Sequence, residues 1–343
     1  MPQGNPRILI VRLSAIGDCL HTLPVLCALR DQMPGAFLTW VVEGRSGDLL
    51  REHPALDELV IVPRGWLKSP RLVWQLRQKL RQLRFDIAID VQGLTKSAVA
   101  AWLSGAPRRI GMKGVDGREI SSWINNELVE PQDTHVVDRN IELLKPLGID
   151  VHTPRFGLPR TSLEESRADQ IVRTAEVTSG FAIINPGAGW PSKLWPAERF
   201  AAVARFLGHD HGLPSLVLWA GAKERAMAES IAAASEGHAL MAPPTSLPEL
   251  VSLARRARLF ISSDTGPLHI AAAVGTPCVA MFGPMPAERN GPYGSGHITL
   301  QNMRLEGNSR SRRTAGPESM LSISVDDVVK ACGNALRRRA QAA

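Results

Sequence analysis

RILIVRLSAIGDCLHTLP, residues 7–24, decides how this chain is read. The run Ile8–Val11 is apolar without alternation, the pattern of a strand covered on both faces, as in a parallel sheet. It breaks into a short loop carrying Gly17 and Asp18, and a helix-like segment follows. Open parallel sheets present their ligand-binding groups at such strand exits. An acidic residue in the first turn of a helix is stabilised by the helix dipole, by about 0.3–1 kcal/mol. That accounts for its tolerance there and leaves open whether it also does chemistry.

The same texture recurs along the chain. Strand-like runs are LTWVVE (38–43), ELVIVP (58–63), FDIAIDV (85–91), FAIINPG (181–187), PSLVLWAG (214–221), ARLFISSD (257–264) and PCVAMFG (277–283). Helical spacing fills the intervals: in 197–212, Phe200, Val203, Ala204 and Leu207 share a face, and Gly208 is the expected stop. The alternation predicts an α/β protein. At 343 residues the chain is long enough for two domains. The Pro-rich, polar stretch 150–170 marks the division. The expected domains are 1–172 and 173–322, followed by an amphipathic helix over 323–343.

With 44% hydrophobic and 21% charged residues the composition is globular, and no apolar run is long enough to span a bilayer. Nothing near the N-terminus reads as a secretion signal, so the cytoplasm is the expected location. Cys19, Cys27, Cys278 and Cys332 are scattered and read as packing residues, without zinc or disulfide spacing. A net charge of +7 asks for an anionic partner. Aromatics make up only 5%, with Tyr293 the one tyrosine and no aromatic-interleaved basic motif, which argues against nucleic acid.

Four strand-exit loops carry the chemistry: SAIGD (14–18), QGLTKS (92–97), PGAGWPSKLWP (186–196) and SDTGPLH (263–269). In the last, Asp264 or Thr265 can cap a helix beginning Gly266-Pro267, whose N-terminal amides suit a phosphate. His269 stands one turn in. Lys193 can neutralise a leaving diphosphate, or be a solvated loop lysine. Glu224, in AGAKERA (220–226), can accept the hydroxyls of a ribose, or be an exposed helix-start acid. His209-Asp210-His211 reads as a solvated turn rather than a metal pair. There is no Walker, GxGxxG, GxSxG or HExxH motif, and no DxD pair to hold a divalent metal.

Taken in order, residues 8–24, WVVE (40–43), FDIAIDVQGLTKSA (85–98), NPGAGWPSKLWPAERF (185–200), GAKERA (221–226) and SDTGPLHIAAAVGTPCVAMFGP (263–284) resemble the ADP-heptose:lipopolysaccharide heptosyltransferase family, its type I branch being the nearer. The resemblance implies a GT-B arrangement: two Rossmann-like doubly wound domains facing across a cleft, with the C-terminal helix returning to the first. It implies metal-independent, inverting transfer of heptose from ADP-L-glycero-β-D-manno-heptose to the phosphorylated lipopolysaccharide inner core, at an anionic membrane surface and with no cofactor.

By position, the resemblance makes Asp18 the general base that takes the acceptor hydroxyl's proton and gives Lys193 the diphosphate charge. The donor set becomes Gly17, Gly187, Lys193, Glu224, Asp264, Thr265, Gly266, Pro267, Leu268 and His269. Arg12, Arg64, Gln92, Lys96, Arg118 and His135 fall on the acceptor side, and Gly93 serves the QGL turn. The sequence departs from the family pattern at AGW (188–190) and lacks cysteines in 302–324, where Arg310, Arg312 and Arg313 stand instead. Alternatives are the same chemistry on a protein or another glycolipid, a nucleotide-sugar epimerase of the same fold, or a non-catalytic binding protein.

Overall fold

A computed structural model describes residues 5–114, 117 and 120–342; Arg118, expected on the acceptor side, lies outside them. The chain forms two compact units, Met1–Pro159 and Arg160–Ala343. The division therefore falls before the helix Ser162–Thr174 rather than at 172, in its last turn, because that helix packs on the helix Leu247–Arg256 of the second unit. Glu165 and Asp169 on the first helix bind Arg256 on the other at 2.7 and 2.8 Å.

The first unit is a six-stranded sheet of β1 (Arg7–Val11), β2 (Phe37–Glu43), β3 (Glu58–Val62), β4 (Ile87–Asp90), β5 (Arg108–Met112) and β6 (Glu127–Val129), ordered β3-β2-β1-β4-β5-β6. The second contains β7 (Ala182–Asn185), β8 (Ser215–Val217), β9 (Ala239–Met241), β10 (Leu259–Ser263), β11 (Cys278–Met281) and β12 (Ile298–Leu300), ordered β12-β11-β10-β7-β8-β9. All ten strand pairings are parallel. Each sheet is doubly wound, and its order reverses once, between β1 and β4 and between β7 and β10. Ligand loops belong at those two reversals.

Every strand expected from an apolar run is present. β5, β6, β9 and β12 were not expected: β5 opens on two arginines, and the other three are three-residue edge strands with at most one buried residue each. The interior strands behave as the apolar runs demand, with Ile8, Leu9, Ile10 and Val11 wholly buried.

Three expectations need correction. The helix Ala197–His211 does not stop at Gly208; it runs to Gly212, which takes the left-handed conformation at φ 57° that ends a helix. Gly208 is instead an approach point, since a Cβ there would lie 2.1 Å from the His238 ring. His209, Asp210 and His211 are thus the exposed last turn of that helix, not a turn after it. The helix Val325–Ala342 belongs to the second unit: Val328, Ala331, Cys332 and Ala335 lie in one core with Trp195, Phe200 and Met281. Trp195 donates to the Ile323 carbonyl at 3.0 Å, and Arg339 donates to that of Ala257 at 2.8 Å. Each large apolar side chain buried there contributes about 1.5–3 kcal/mol, which ties the helix to this sheet.

All four cysteines are buried, as packing residues should be. Burial pushes the Cys19 thiol up to about 12, the charge of nearby Arg12 opposing only in part.

Candidate functional site

At the β1/β4 reversal the exits of β1, β2 and β4 form a charged cluster. Asp18 sits in the first turn of the helix Ile16–Leu20. Its Oδ2 accepts the Ala15 N–H at 3.0 Å, and Arg12 Nη2 stands 2.9 Å from its Oδ1. The carboxylate is therefore fixed in direction yet 36% exposed. Arg12 is 9% exposed, and its Nη1 donates to the Val91 carbonyl at 2.9 Å. Read from the sequence as an acceptor contact, it is a largely buried cation whose guanidinium is paired with Asp18.

Lys96 Nζ donates to Glu43 Oε2 at 2.8 Å and to Ser14 Oγ at 3.2 Å, tying the β4 exit to those of β2 and β1. Gln92 Oε1 accepts the Leu13 N–H at 2.8 Å. Gly93 turns the chain at φ 65°, where a side chain would be strained. Beneath this turn lies wholly buried Asp90, which accepts the Gln92 and Gly93 N–H groups at 3.1 and 3.0 Å and the Asn125 side chain at 3.0 Å. Burial raises its carboxyl above the ordinary value, against these hydrogen bonds.

His135 caps the helix Val136–Glu142, with Nδ1 accepting from Val137 N–H, and its ring meets that of His21 edge-on at 6.0 Å. Arg64 lies exposed after β3, and Gly17 is in the first turn with Asp18. Glu43, Ser14 and Asp90 were not singled out from the sequence. The acid that ends the apolar run WVVE at a strand exit was the available signal for Glu43.

At the β7/β10 reversal of the second unit a second cluster forms. Lys193 Nζ stands 2.5 Å from Asp264 Oδ2, and His269 Nε2 stands 3.3 Å from Asp264 Oδ1. Burial alone would raise the Asp264 carboxyl, but the His269 hydrogen bond and the Lys193 charge outweigh it and hold it below the ordinary carboxylate range. Lys193 also lies 4.4 Å from the centre of the Trp190 ring, and Arg313 lies 4.9 Å from it. Ser192 Oγ donates to the Arg312 carbonyl at 3.0 Å, docking the helix Ser309–Thr314 on the Lys193 loop.

Thr265, not Asp264, caps the helix Gly266–Ala273: its Oγ1 accepts the Leu268 N–H at 3.4 Å and a hydrogen bond from Asn185 Nδ2 at 3.2 Å. Pro267 has no N–H and that of Leu268 serves the cap, which leaves Gly266 as the first-turn amide suited to a ligand. Leu268, placed by the sequence among the donor-binding residues, has its side chain wholly buried in the core and cannot present it to a ligand.

Glu224 is half-buried at the start of the helix Gly221–Ala234, with Oε2 accepting the Ala220 N–H at 2.8 Å. Burial raises its carboxyl, opposed by that hydrogen bond. Gly187 lets it approach: a Cβ on Gly187 would lie 2.3 Å from the Glu224 carboxyl carbon. Asn185 and Trp190 join this cluster without having been named from the sequence. Among the described residues no group of His, Cys, Asp and Glu is arranged to hold a metal ion, and no helix is long and apolar enough to cross a membrane.

Comparison with known proteins agrees with this geometry. The family model of glycosyltransferase family 9 (heptosyltransferase) matches residues 73–318. Lipopolysaccharide heptosyltransferase 1 of Pseudomonas aeruginosa is 29% identical over 313 residues, covering 86% of this chain and 83% of its own. A family 9 glycosyl transferase structure from Veillonella parvula superposes at a TM-score of 0.85 with 25% identity, over 98% of this chain and 99% of that one. The E. coli heptosyltransferase WaaC, solved with ADP-2-deoxy-2-fluoro heptose, gives 0.73 with 26% identity over 94% and 98%. These are GT-B proteins, and the two doubly wound sheets described above are that fold. With its two reversal-point clusters and a family match over most of its length, the chain is a glycosyltransferase and belongs to glycosyltransferase family 9, the heptosyltransferases.

Proposed function

We propose that the protein transfers heptose from ADP-L-glycero-β-D-manno-heptose to the Kdo-lipid A inner core of lipopolysaccharide, with inversion and without a metal or cofactor. The observation that carries this reading is the carboxylate of Asp18, held by Arg12 and the Ala15 N–H at the exit of β1. Single-displacement inversion needs one base to take the proton of the acceptor hydroxyl as its oxygen attacks the anomeric carbon, and no protein nucleophile. Asp18 has that character, with two fixed contacts on a side chain that stays 36% exposed.

On the second unit, Lys193, His269 and the Gly266 amide would receive the charge that builds on the departing diphosphate, in place of a metal ion. Glu224 would accept the ribose hydroxyls. Asp264 would act mainly by holding Lys193 and His269, since both its oxygens are occupied by them. Lys96, Arg64, His135 and Gln92 stand on the first unit for the phosphorylated acceptor. A relative carries an ADP-heptose analogue in its structure, and another bears the name lipopolysaccharide heptosyltransferase 1. Both support donor and acceptor class. The enzyme would work in the cytoplasm, seated peripherally on the inner membrane leaflet.

The test is calorimetric titration with ADP, GDP and UDP, with and without EDTA, followed by transfer from ADP-heptose to a deacylated inner-core acceptor and determination of the product's anomeric configuration. Selective, EDTA-insensitive ADP binding with an inverted product supports the reading. Preference for another nucleotide, loss of transfer in EDTA, or a retained anomer overturns the corresponding part.

A further inference from the structure

Residues 59–85, in the first unit, contain no aspartate or glutamate yet carry cations throughout. It comprises the end of β3, a turn over 63–69 and the helix Pro70–Gln82. The helix spends its apolar stripe inward: Leu76 and Leu80 are buried against the sheet, with Leu72 and Val73 packed beside them. Its outer face carries Arg71, Trp74 and Arg77, all exposed, with Trp74 59% exposed at the centre. Lys68 and Leu67 extend that face through the turn, Leu67 being 39% exposed. Lys79 at its margin pairs with Glu58 at 2.9 Å, and Arg81 donates to the Leu103 carbonyl, next to the 54%-exposed Trp102.

We infer that this face docks the enzyme on an anionic lipid leaflet. Clustered cations without intervening acids are attracted to such a surface, each contributing a multiplicative gain in partition. A tryptophan at the centre of a basic face fits the headgroup layer, which takes its ring and its N–H together. A duplex nucleic acid would use the cations and leave Trp74 and Leu67 without a role, and the stretch has no series of aromatics on which successive bases of a single strand would stack. Position supports the same occupant: in a parallel sheet the turn 63–69 leaves β3 at the edge where the Asp18 and Lys96 loops leave β1 and β4. A leaflet seated there would bring a lipid-borne acceptor to that edge, so the inference rests on the acceptor class proposed above.

The experiment is flotation of the full-length protein with vesicles of phosphatidylcholine alone and of phosphatidylcholine mixed with phosphatidylglycerol. The protein should float with the mixed vesicles and not the neutral ones. Arg71→Glu with Arg77→Glu should lower partition roughly tenfold or more. Arg337→Glu with Arg338→Glu, on an exposed part of the C-terminal helix, changes net charge equally and should lower it far less. Trp74→Ser should reduce vesicle partition while leaving retention on a heparin column unchanged. All variants should transfer heptose to a deacylated, soluble acceptor at the parent rate, which also shows that they fold.

Equal loss in both charge-reversal pairs, flotation with neutral vesicles, or no flotation at all overturns the inference. No effect of Trp74→Ser on partition makes the face a polyanion site and overturns it as a membrane surface. The vesicles contain no acceptor, so failure to float leaves the heptosyltransferase reading standing. Failure of transfer with normal flotation does the reverse.

Discussion

Lys193 Nζ lies 2.5 Å from Asp264 Oδ2 with both side chains nearly buried, 13% and 11% exposed, and His269 holds the other carboxylate oxygen. The cation that would meet a diphosphate is thus kept in place by a carboxylate that is itself doubly bound. Removing one partner of such a pair strands the other in a poorly solvated site. Lys193→Met should destabilise the protein by about 3 kcal/mol, near the low end for a broken buried pair because His269 remains. The double variant Lys193→Met/Asp264→Asn should recover much of that loss. Urea melts of the two variants and the parent protein decide it; a double variant no more stable than the single one would show that the pair is not the unit that matters.

Acid should expose the same carboxylate. Asp264 titrates below its ordinary 3.8 in the folded protein. It therefore adds stability above that value, and the contribution is lost as pH falls through the depressed folded value. Asp264→Asn should flatten the acid limb of a stability–pH curve. Asp90 has the opposite sign: its folded pKa is raised, so ionisation opposes folding at neutral pH, and stability rises as pH falls through the raised value. Asp90→Asn should remove that rise, with the Asn125 amide able to turn its otherwise unpartnered Oδ1 toward the new donor. Unfolding curves for both variants, recorded from neutral pH to below 3.8, test the two signs independently.

Asp18→Asn keeps the size and loses the base. Transfer should fall by about 10²–10⁴-fold, the usual worth of a general base. ADP affinity should stay within about twofold, because no donor contact is assigned to the Asp18 carboxylate in the proposed mechanism. Single-turnover rates and calorimetry separate the two, and near-parental transfer by Asp18→Asn would remove Asp18 from the chemistry.

Gly187→Ala tests Glu224 without touching it. The added Cβ would lie 2.3 Å from the Glu224 carboxyl carbon, so the side chain must swing away and lose its bond from Ala220 N–H. If Glu224 accepts the ribose, ADP affinity should drop roughly tenfold, the worth of one hydrogen bond to a charged group. Unchanged ADP binding by this variant would show that the ribose is held elsewhere.

Arg12→Ala separates orientation from charge. It removes the ion pair to Asp18 and leaves the Val91 carbonyl without its donor, at a stability cost of about 1–3 kcal/mol. If Arg12 acts by aiming Asp18, kcat should fall with little change in the KM for acceptor. A rise in acceptor KM at constant kcat would place Arg12 on the acceptor instead.

Much of this protein is legible in its sequence because buried parallel strands must be continuous apolar runs, and the loops that leave them must carry whatever chemistry there is. Those two rules locate the interior strands and the loops of Asp18, Lys96, Lys193 and Asp264. They fail at β5, β6, β9 and β12, which lie toward or at sheet edges and lack the burial that would write a pattern. They fail again at Gly208 and the C-terminal helix, where the partner surface rather than local propensity chose the outcome. Which polar groups pair was also beyond the sequence. Arg12 and Gln92 read as acceptor contacts, and only the fold shows their internal partners: Asp18 and the Val91 carbonyl for Arg12, the Leu13 N–H for Gln92. Leu268 looks like part of a ligand loop until the helix turns it into the core. Residue type and spacing determine which loops can do chemistry; only packing over long sequence separations, 71 residues between Lys193 and Asp264, decides which side chains meet.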